Sequence, residues 1–546
     1  IHFLTFHQLA LRLRDDLAAV SETSSEPTLQ LVDDFFFEQL VRQVVRRKLP
    51  GLEPLMRLPA APGTWKGLWA TVRDLKDAVV APTMALKALT EGVFEEDDLT
   101  WLHSLFTLHA AIKEAGPSLG VGSPDDLAAS LGRDFSGSSF LNGLQRLFYY
   151  GFYDLSQVQL AFFESVIRVA PTTLYFPLQN HPAYFFARRF FERHLLPLAD
   201  THEDRSGEGK RTVTTELVEL SVTSVIGVEE ELATVCREIL TLVEVNGYRF
   251  DEIEVVARTL EPYQARLQSV FNHHLVPFTS TAGRPLSREP LVKTLLRLAS
   301  LPLNDFDRVA MLDLVTSPFY HAHGAGSARV NLRPDVWRSL VYTLGITKGE
   351  AEWRRLEEPA SSSILRDRES DPDEDDQSLV GMCATDQLQY LWELVSQLIH
   401  DCRTLPKQGS IGTLTDAFLA LVKSHVHLPD LFDGTTVEPT NFPKIGSLIR
   451  SALARLQQLD PLCGNLSWEE WVELFRRVLD ETSIPIEEDQ HQGVQVLDAM
   501  TARGRTVRAL FLLGMNEKLF PRYVREDPFL RDRQRVVLES TLGYKI

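Results

Sequence analysis

Residues 493–522 read GVQVLDAMTARGRTVRALFLLGMNEKLFPR, and this stretch decides the fold. It reads as an apolar strand, a turn holding Arg503-Gly504-Arg505, and a second apolar strand. Gly514-Met515-Asn516-Glu517 and Phe520-Pro521 follow. Two short apolar strands around a glycine turn are the pattern of a sheet buried on both faces, as in α/β proteins.

Working outward, the whole chain has 546 residues, more than one hydrophobic core can serve, so ~3–4 domains are expected. Hydrophobic residues make up 44% and charged residues 24%, the balance of an ordinary globular protein. No apolar run approaches the ~20 residues of a membrane span and no signal peptide is visible, so no membrane partner is expected. Cys236, Cys383, Cys402 and Cys463 are scattered without a C-x-x-C pair. That spacing argues against a zinc ribbon or a disulfide framework and favours a reducing, cytoplasmic location. The net charge is −19, so any contact with nucleic acid must come from a local basic groove. The chain starts at Ile1, without Met, in what reads as a strand, and further sequence is expected beyond both ends.

The order of residues in 493–522 resembles a segment of superfamily 1 DNA helicases of the UvrD/Rep type. There T-x-H-x-x-K-G-L-E, a strand and G-x-x-E-x-x-F-P line the cleft between two RecA-like lobes. Gly504, Gly514, Glu517, Phe520 and Pro521 match that pattern, and Arg503 stands where Lys is usual. The Thr, His, Leu and Glu positions carry Asp498, Met500, Arg505 and Thr506. Near the start, Thr5-Phe6-His7-Gln8-Leu9-Ala10 is similar to the T-F-H-s-l-A motif of the same helicases, which contacts single-stranded DNA. Residues 1–14 read as a strand entering a helix, so Phe6 or His7 either stacks on a base or packs beneath that helix. The family's Gly-Lys-Thr phosphate loop precedes this motif. ATP and Mg²⁺ are therefore implied only if such a loop lies before Ile1, and no cofactor is expected within this segment.

In 145–168, QRLFYYGFYDLSQVQLAFFESVIR, a strand (147–150) leads through Gly151-Phe152-Tyr153-Asp154 into an amphipathic helix. It resembles the helicase Walker B segment, hydrophobic-D-E-F-Q-D-T-x-x-x-Q, with Phe152, Asp154 and Gln159 in place. Tyr150 and Gly151 stand where two carboxylates would hold Mg²⁺ and orient the attacking water. A Gly-Phe-x-Asp version of this turn resembles the accessory member of the AddAB/RexAB helicase-nucleases, AddB or RexB. Val255-Val256-Ala257-Arg258-Thr259, with Arg266, is similar to the opening of the second RecA lobe, which implies an anion role for Arg258; alternatively it is an ordinary surface arginine at a strand end.

Between these motifs the apolar periodicity is helical from about 26 to 130, for example Leu31-Val32-Phe35-Phe36-Leu40-Val44, with Ser123-Pro124 as a helix start. Residues 171–180 read as a core strand. From 217 onward strands (217–222, 253–257, 276–280) alternate with helices (228–245, 260–273), the pattern of a parallel sheet. Helical periodicity returns from 290 to 484. Gly116-Pro117-Ser118-Leu119-Gly120 matches G-x-S-x-G, but a helix precedes it, so no hydrolase elbow is expected. The acidic run 366–378 reads as a solvated loop. His321, His323, His425 and His427 lack further ligands at useful spacing and read as surface residues, so no metal site is expected.

The fold expected is α/β, with two RecA-like lobes that each carry a large helical insertion. The first lobe takes 1–25 and 131–200, with its insertion at 26–130; 201–211 is a linker. The second lobe takes 212–284 and 485–546, with its insertion at 285–484. The resemblance implies an accessory subunit of a bacterial helicase-nuclease that acts on DNA ends in double-strand-break repair and does not drive the strand itself. Its implied partners are single-stranded DNA or DNA ends and an active helicase-nuclease subunit. Asp154, Gln159, Arg258, Arg503 and Gly504 would be remnants of the nucleotide cleft; Thr5, Phe6, His7, Arg503 and Arg505 would meet DNA. Two other readings stay open: an active, divergent superfamily 1 helicase and a helical protein-interaction scaffold.

Overall fold

The computed structural model describes residues 2–20, 29–59, 61–132, 134–178, 182–203, 219–321, 333–357, 377–427, 442–486, 493–503, 505–521, 523 and 526–542. The chain is α/β and helix-rich, with small sheets. Among the described residues seven strands have four or more residues: β1 (Leu147–Tyr150), β2 (Thr172–Tyr175), β3 (Ile253–Ala257), β4 (Phe278–Pro285), β5 (Ser483–Ile486), β6 (Val494–Asp498) and β7 (Ala509–Leu513). β1 and β2 form a two-stranded parallel sheet, and the other five order as β7-β3-β6-β4-β5. The two apolar runs of the decisive stretch are β6 and β7. Two compact units are formed, one from Ile1–Val235, Val255–Thr259 and Asp498–Ile546, the other from Cys236–Glu254 and Leu260–Leu497.

In the first unit, Phe6–Val20 is a helix whose start is closed by Thr5: the Thr5 N–H donates to Gln8 Oε1, and the Gln8 N–H to Thr5 Oγ1. His2–Thr5 lie outside any strand, because the chain is committed to this cap instead of to a ladder. The helix buries Leu9, Ala10 and Leu13 against Leu127, Phe135, Leu141, Phe162 and Val166. The Ser123 and Ser156 helices both open on reciprocal capping boxes, with Asp126 and Gln159 as the returning side chains. Farther on, Glu219–Val222 is not strand, and Leu220 and Val222 are 85% and 89% exposed. Alternation alone predicted a strand there, but no described neighbour pairs with it; residues 217 and 218 lie outside the described residues.

The helical part of this unit is organised by aromatic packing. Phe37 stacks on Trp69 with ring centroids 4.4 Å apart, and the Lys76 ammonium sits 4.8 Å from the Phe37 ring centroid. Segment 526–542 then clasps the same helices. Trp101 Nε1–H donates to the Phe529 carbonyl (2.8 Å), and Thr71 Oγ1–H donates to Asp527 (2.8 Å). Arg535 bridges Asp527 and Asp74, while Arg533 bridges Glu95 and Asp98. Leu530 and Leu538 are fully buried. Gly67 meets Phe529 so closely that a Cβ there would lie 2.7 Å from the ring.

In the second unit, β6 runs parallel to β4 in the register Val494↔Phe278, and β5 pairs antiparallel with β4. The register shifts beside Gly283, where a Cβ would stand 2.6 Å from the Ser483 Cβ, so the close approach requires glycine. The strand expected at 276–280 is Phe278–Pro285, and the helix expected at 260–273 begins at Gln264. Trp468, Trp471 and Phe475 stack in sequence with centroids 5.0 and 5.2 Å apart, and Phe418 packs at an angle against Trp471 and Phe475 at 5.2 and 5.3 Å. Each tryptophan has a partner: Trp468 Nε1–H donates to Ala299 O and Trp471 Nε1–H to Thr415 Oγ1.

His425 overturns one expectation. Its side chain is buried, with Nε2 2.8 Å from Asp401 Oδ2 and Nδ1 3.2 Å from the Tyr320 hydroxyl. It lies on the inner face of the Ile411–His425 helix, where satisfied hydrogen bonds replace the water it gives up. His321 and His427 are exposed, as expected, and His323 lies outside the described residues. The run 366–376 does as well. Among the described residues no group of three or more His, Cys, Asp or Glu is placed to hold a metal, and no helix is long and apolar enough to cross a membrane.

The clasp carries a direct test. Leu530→Ala empties a fully buried site and is expected to destabilise the protein by about 2–5 kcal/mol, read as a lower urea midpoint. Leu530→Met conserves the volume and should cost less than about 1.5 kcal/mol. Equal midpoints for Leu530→Ala and wild type would show that this segment does not hold the unit together.

Candidate functional site

The site grows from the end of β1. Parallel pairing with β2 fixes the strand in the register Leu147↔Thr172 to Tyr150↔Tyr175. Tyr149 points inward against Phe152 and Phe163, whereas Tyr150 points out and is 74% exposed. Gly151 then takes φ +89°, a left-handed conformation that L side chains rarely adopt. The turn leaves Asp154 exposed and Tyr153 half-buried, and it ends at Ser156, the cap of the Gln157–Ile167 helix.

Asp154 and Gln159 line a cavity of about 480 Å³. Its other walls come from the end of the Pro62–Asp77 helix, from the 185–194 segment, and from Glu539. Gln159 is held by its capping role and donates a long hydrogen bond to Asp125 (3.5 Å). Arg189 and Arg193 both approach Glu539, at 3.4 and 3.9 Å. Burial, then the charge of Arg193, lowers the His194 pKa, with Glu164 opposing. Burial, then the charge of Asp125, pushes the Asp77 carboxyl up to about 7, against the pull of Arg73 and Lys76. The cavity thus joins carboxylates, an amide, two guanidinium groups and the rings of Phe185, Phe186 and Phe190.

Beside it lies a second set of groups. The Arg503 guanidinium sits 4.0 Å from the Tyr153 ring centroid, and Tyr184 and Phe186 flank that ring at 6.1 and 6.3 Å. Arg503 is placed by the turn after β6. Asp498 accepts from the Met500 and Thr501 N–H groups and from the Thr501 hydroxyl, and these bonds lower its pKa although burial opposes them.

The structure therefore brings together Asp154, Gln159 and Arg503 from the expected set, all within the first unit. Arg258 is half-buried just past the end of β3, and Arg505 is exposed in the loop after Arg503; Gly504 lies outside the described residues. Thr5 is exposed and serves as a helix cap. Phe6 is half-buried, its ring centroid 4.9 Å from that of Phe162, and His7 has a buried Nδ1 without a partner among the described residues. Sequence reasoning missed Asp77, Phe185, Phe186, Arg189, Arg193 and Glu539. The signal for four of them was present in YFFARRFFERHL, 184–195, where aromatic and basic residues interleave. Nothing in the sequence pointed to Glu539, whose place depends on the clasp.

Fold and site define an α/β protein with small parallel sheets, with a cavity and an arginine–aromatic contact at the end of β1. Comparison with known proteins adds its relatives. Each of three is the B component of an ATP-dependent helicase/deoxyribonuclease. The protein from Natranaerobius thermophilus is 21% identical over 364 residues, 59% of this chain and 28% of the relative. That from Enterococcus faecalis is 23% identical over 333 residues (58% and 27%), and that from Oceanobacillus iheyensis 20% over 388 (67% and 30%). No family model matches the chain. The resemblance to the B components of ATP-dependent helicase-nucleases is thus carried by more than half of the chain, which spans less than a third of the length of these relatives.

The Asp77 carboxyl gives the site a measurable signature. Because its folded pKa is raised, the native state holds a proton that the unfolded chain has released. Asp77 therefore makes stability fall as pH rises from about 4 to about 7. Asp77→Asn should remove this component. The urea midpoint of the variant, relative to wild type, is expected to rise across that window and level off above it. A difference that does not change with pH would mean that Asp77 is ionised normally.

Proposed function

We propose that the protein is the accessory, AddB-type component of a helicase-nuclease that processes DNA ends in double-strand-break repair, and that it guides single-stranded DNA without driving it. In this reading the β1–β2 region belongs to one RecA-like lobe and the five-stranded sheet to another, each with a large helical insertion. The observation that carries the reading is the alignment to these relatives, taken together with the end of β1. Where a motor of this type places two carboxylates, this chain has the exposed Tyr150 and the left-handed Gly151. Metal-assisted phosphoryl transfer needs both a protein anchor for Mg²⁺ and an oriented water. Neither residue supplies a carboxylate, and the backbone at 151 strains any side chain placed there.

Asp154, Gln159 and Arg258 are then remnants of a nucleotide cleft. Asp154 and Gln159 line a cavity, and the Gln159 side chain accepts from the Ser156 N–H in the capping box that opens its helix. The exposed Arg503 and Arg505, together with Thr5, offer phosphate contacts. The partner is an active motor protein, and a stable assembly of that kind typically buries ~2,000 Å² or more.

The test is phosphate release by the natural full-length chain, alone, with ATP, Mg²⁺ and single-stranded DNA. No DNA-stimulated turnover is expected. A rate of ~1 s⁻¹ or more, in the usual enzyme range, would identify a divergent but working helicase instead.

A further inference from the structure

We propose that His321 and His427 together form a surface site for a divalent transition-metal ion of the zinc type. The site belongs to the second unit and is independent of the strand-guiding role above. The runs His321-Ala322-His323 and His425-Val426-His427 are far apart in the chain, and the fold brings His321 and His427 side by side. Tyr320 and Val426 form an antiparallel bridge. Around it the His321 N–H donates to the His425 carbonyl (2.8 Å) and the His427 N–H to the Phe319 carbonyl (2.9 Å). The imidazole rings of His321 and His427 lie 5.9 Å apart, centroid to centroid, with 40° between their planes. Both residues are exposed. At zinc–nitrogen distances of about 2.0–2.1 Å, two histidines on one ion have ring centroids roughly 5–6 Å apart. The observed spacing meets that requirement.

The neighbouring groups hold this geometry without being ligands. His425 is buried, and both of its ring nitrogens are engaged: Nε2 with Asp401 (2.8 Å) and Nδ1 with the Tyr320 hydroxyl (3.2 Å). The Tyr320 ring also stacks on that of His425, with centroids 5.8 Å apart. The two backbones are thus tied together before any ion arrives, so little conformational freedom is lost on binding. Ligand chemistry selects the ion. Imidazole suits Zn²⁺, Ni²⁺ and Cu²⁺, whereas Mg²⁺ and Ca²⁺ take oxygen ligands. Among the described residues no third His, Cys, Asp or Glu joins the two histidines, so water completes the coordination. A bound ion joins the segment after the Arg308–Val315 helix to the end of the Ile411–His425 helix. It acts as a reversible cross-link, and its contribution to stability grows with its concentration.

The experiment is equilibrium dialysis of the untagged full-length chain against Zn²⁺, paired with urea unfolding in Zn²⁺ and in EDTA. Wild type is expected to hold one more Zn²⁺ than the double variant His321→Ala/His427→Ala. Each single variant should bind that ion roughly 100-fold more weakly, the low end of what joining two ligands contributes. His400→Ala removes an exposed histidine from the Gln377–Arg403 helix and should bind like wild type. In EDTA all of these chains should share one urea midpoint. Added Zn²⁺ should raise the midpoint of wild type and of His400→Ala, and not that of the double variant. If an alanine variant unfolds early in EDTA, His321→Gln and His427→Gln take its place, with the same outcomes expected. With Cu²⁺ as the probe, wild type should show electron paramagnetic resonance coupling to two ring nitrogens, and neither single variant should. Equal Zn²⁺ binding by wild type and the double variant would overturn the site. So would a midpoint shift of equal size in both.

Discussion

The left-handed turn at Gly151 is the constraint on which the site depends. A parallel strand that ended in an ordinary extended residue would carry the chain onward in line with β1. Instead the backbone reverses hand for one residue, and Tyr153, Asp154 and Ser156 follow in fixed directions. Tyr153 meets Arg503, Asp154 reaches the cavity, and Ser156 opens the helix that buries Phe162 and Phe163. One glycine conformation therefore couples the Tyr153–Arg503 contact to a well-packed core.

The surroundings use the same economy of parts. Gln159 closes a helix and lines the cavity, and Asp498 holds the turn that delivers Arg503. Glu539 faces two arginines because the Asp532–Leu542 helix is pinned by the clasp. The geometry of the cavity thus depends on contacts formed far from it, and the proton held by Asp77 is one result of that enclosure.

Much of this was legible in the sequence. The strands at 147–150 and 253–257, and those of the decisive stretch, were readable because short apolar runs bounded by glycine or charge have few other solutions. The Ser123 helix start was readable because capping is local chemistry. What could not be read depended on partners remote in the chain. Residues 219–222 alternate like a strand, yet a strand exists only where another pairs with it. His425 lies in a loop-like run of sequence, but Asp401 and Tyr320 draw it into the interior. Phe6 had two readings, and only the position of Phe162 shows where its ring lies.

The clasp has a consequence for how the protein is made. Trp101 and Phe529 are joined across 428 positions of the chain. At ~5–20 residues per second, a ribosome needs about 20–85 s to travel that distance. Throughout that time the helices around Trp69 and Trp101 are synthesised and exposed, while the apolar seat for Leu530 and Leu538 stays empty. This first unit therefore cannot close in the order in which it is translated. The early helices can bury Phe37 against Trp69 at once, but the seat for these two leucines is filled only when the segment that completes it leaves the ribosome.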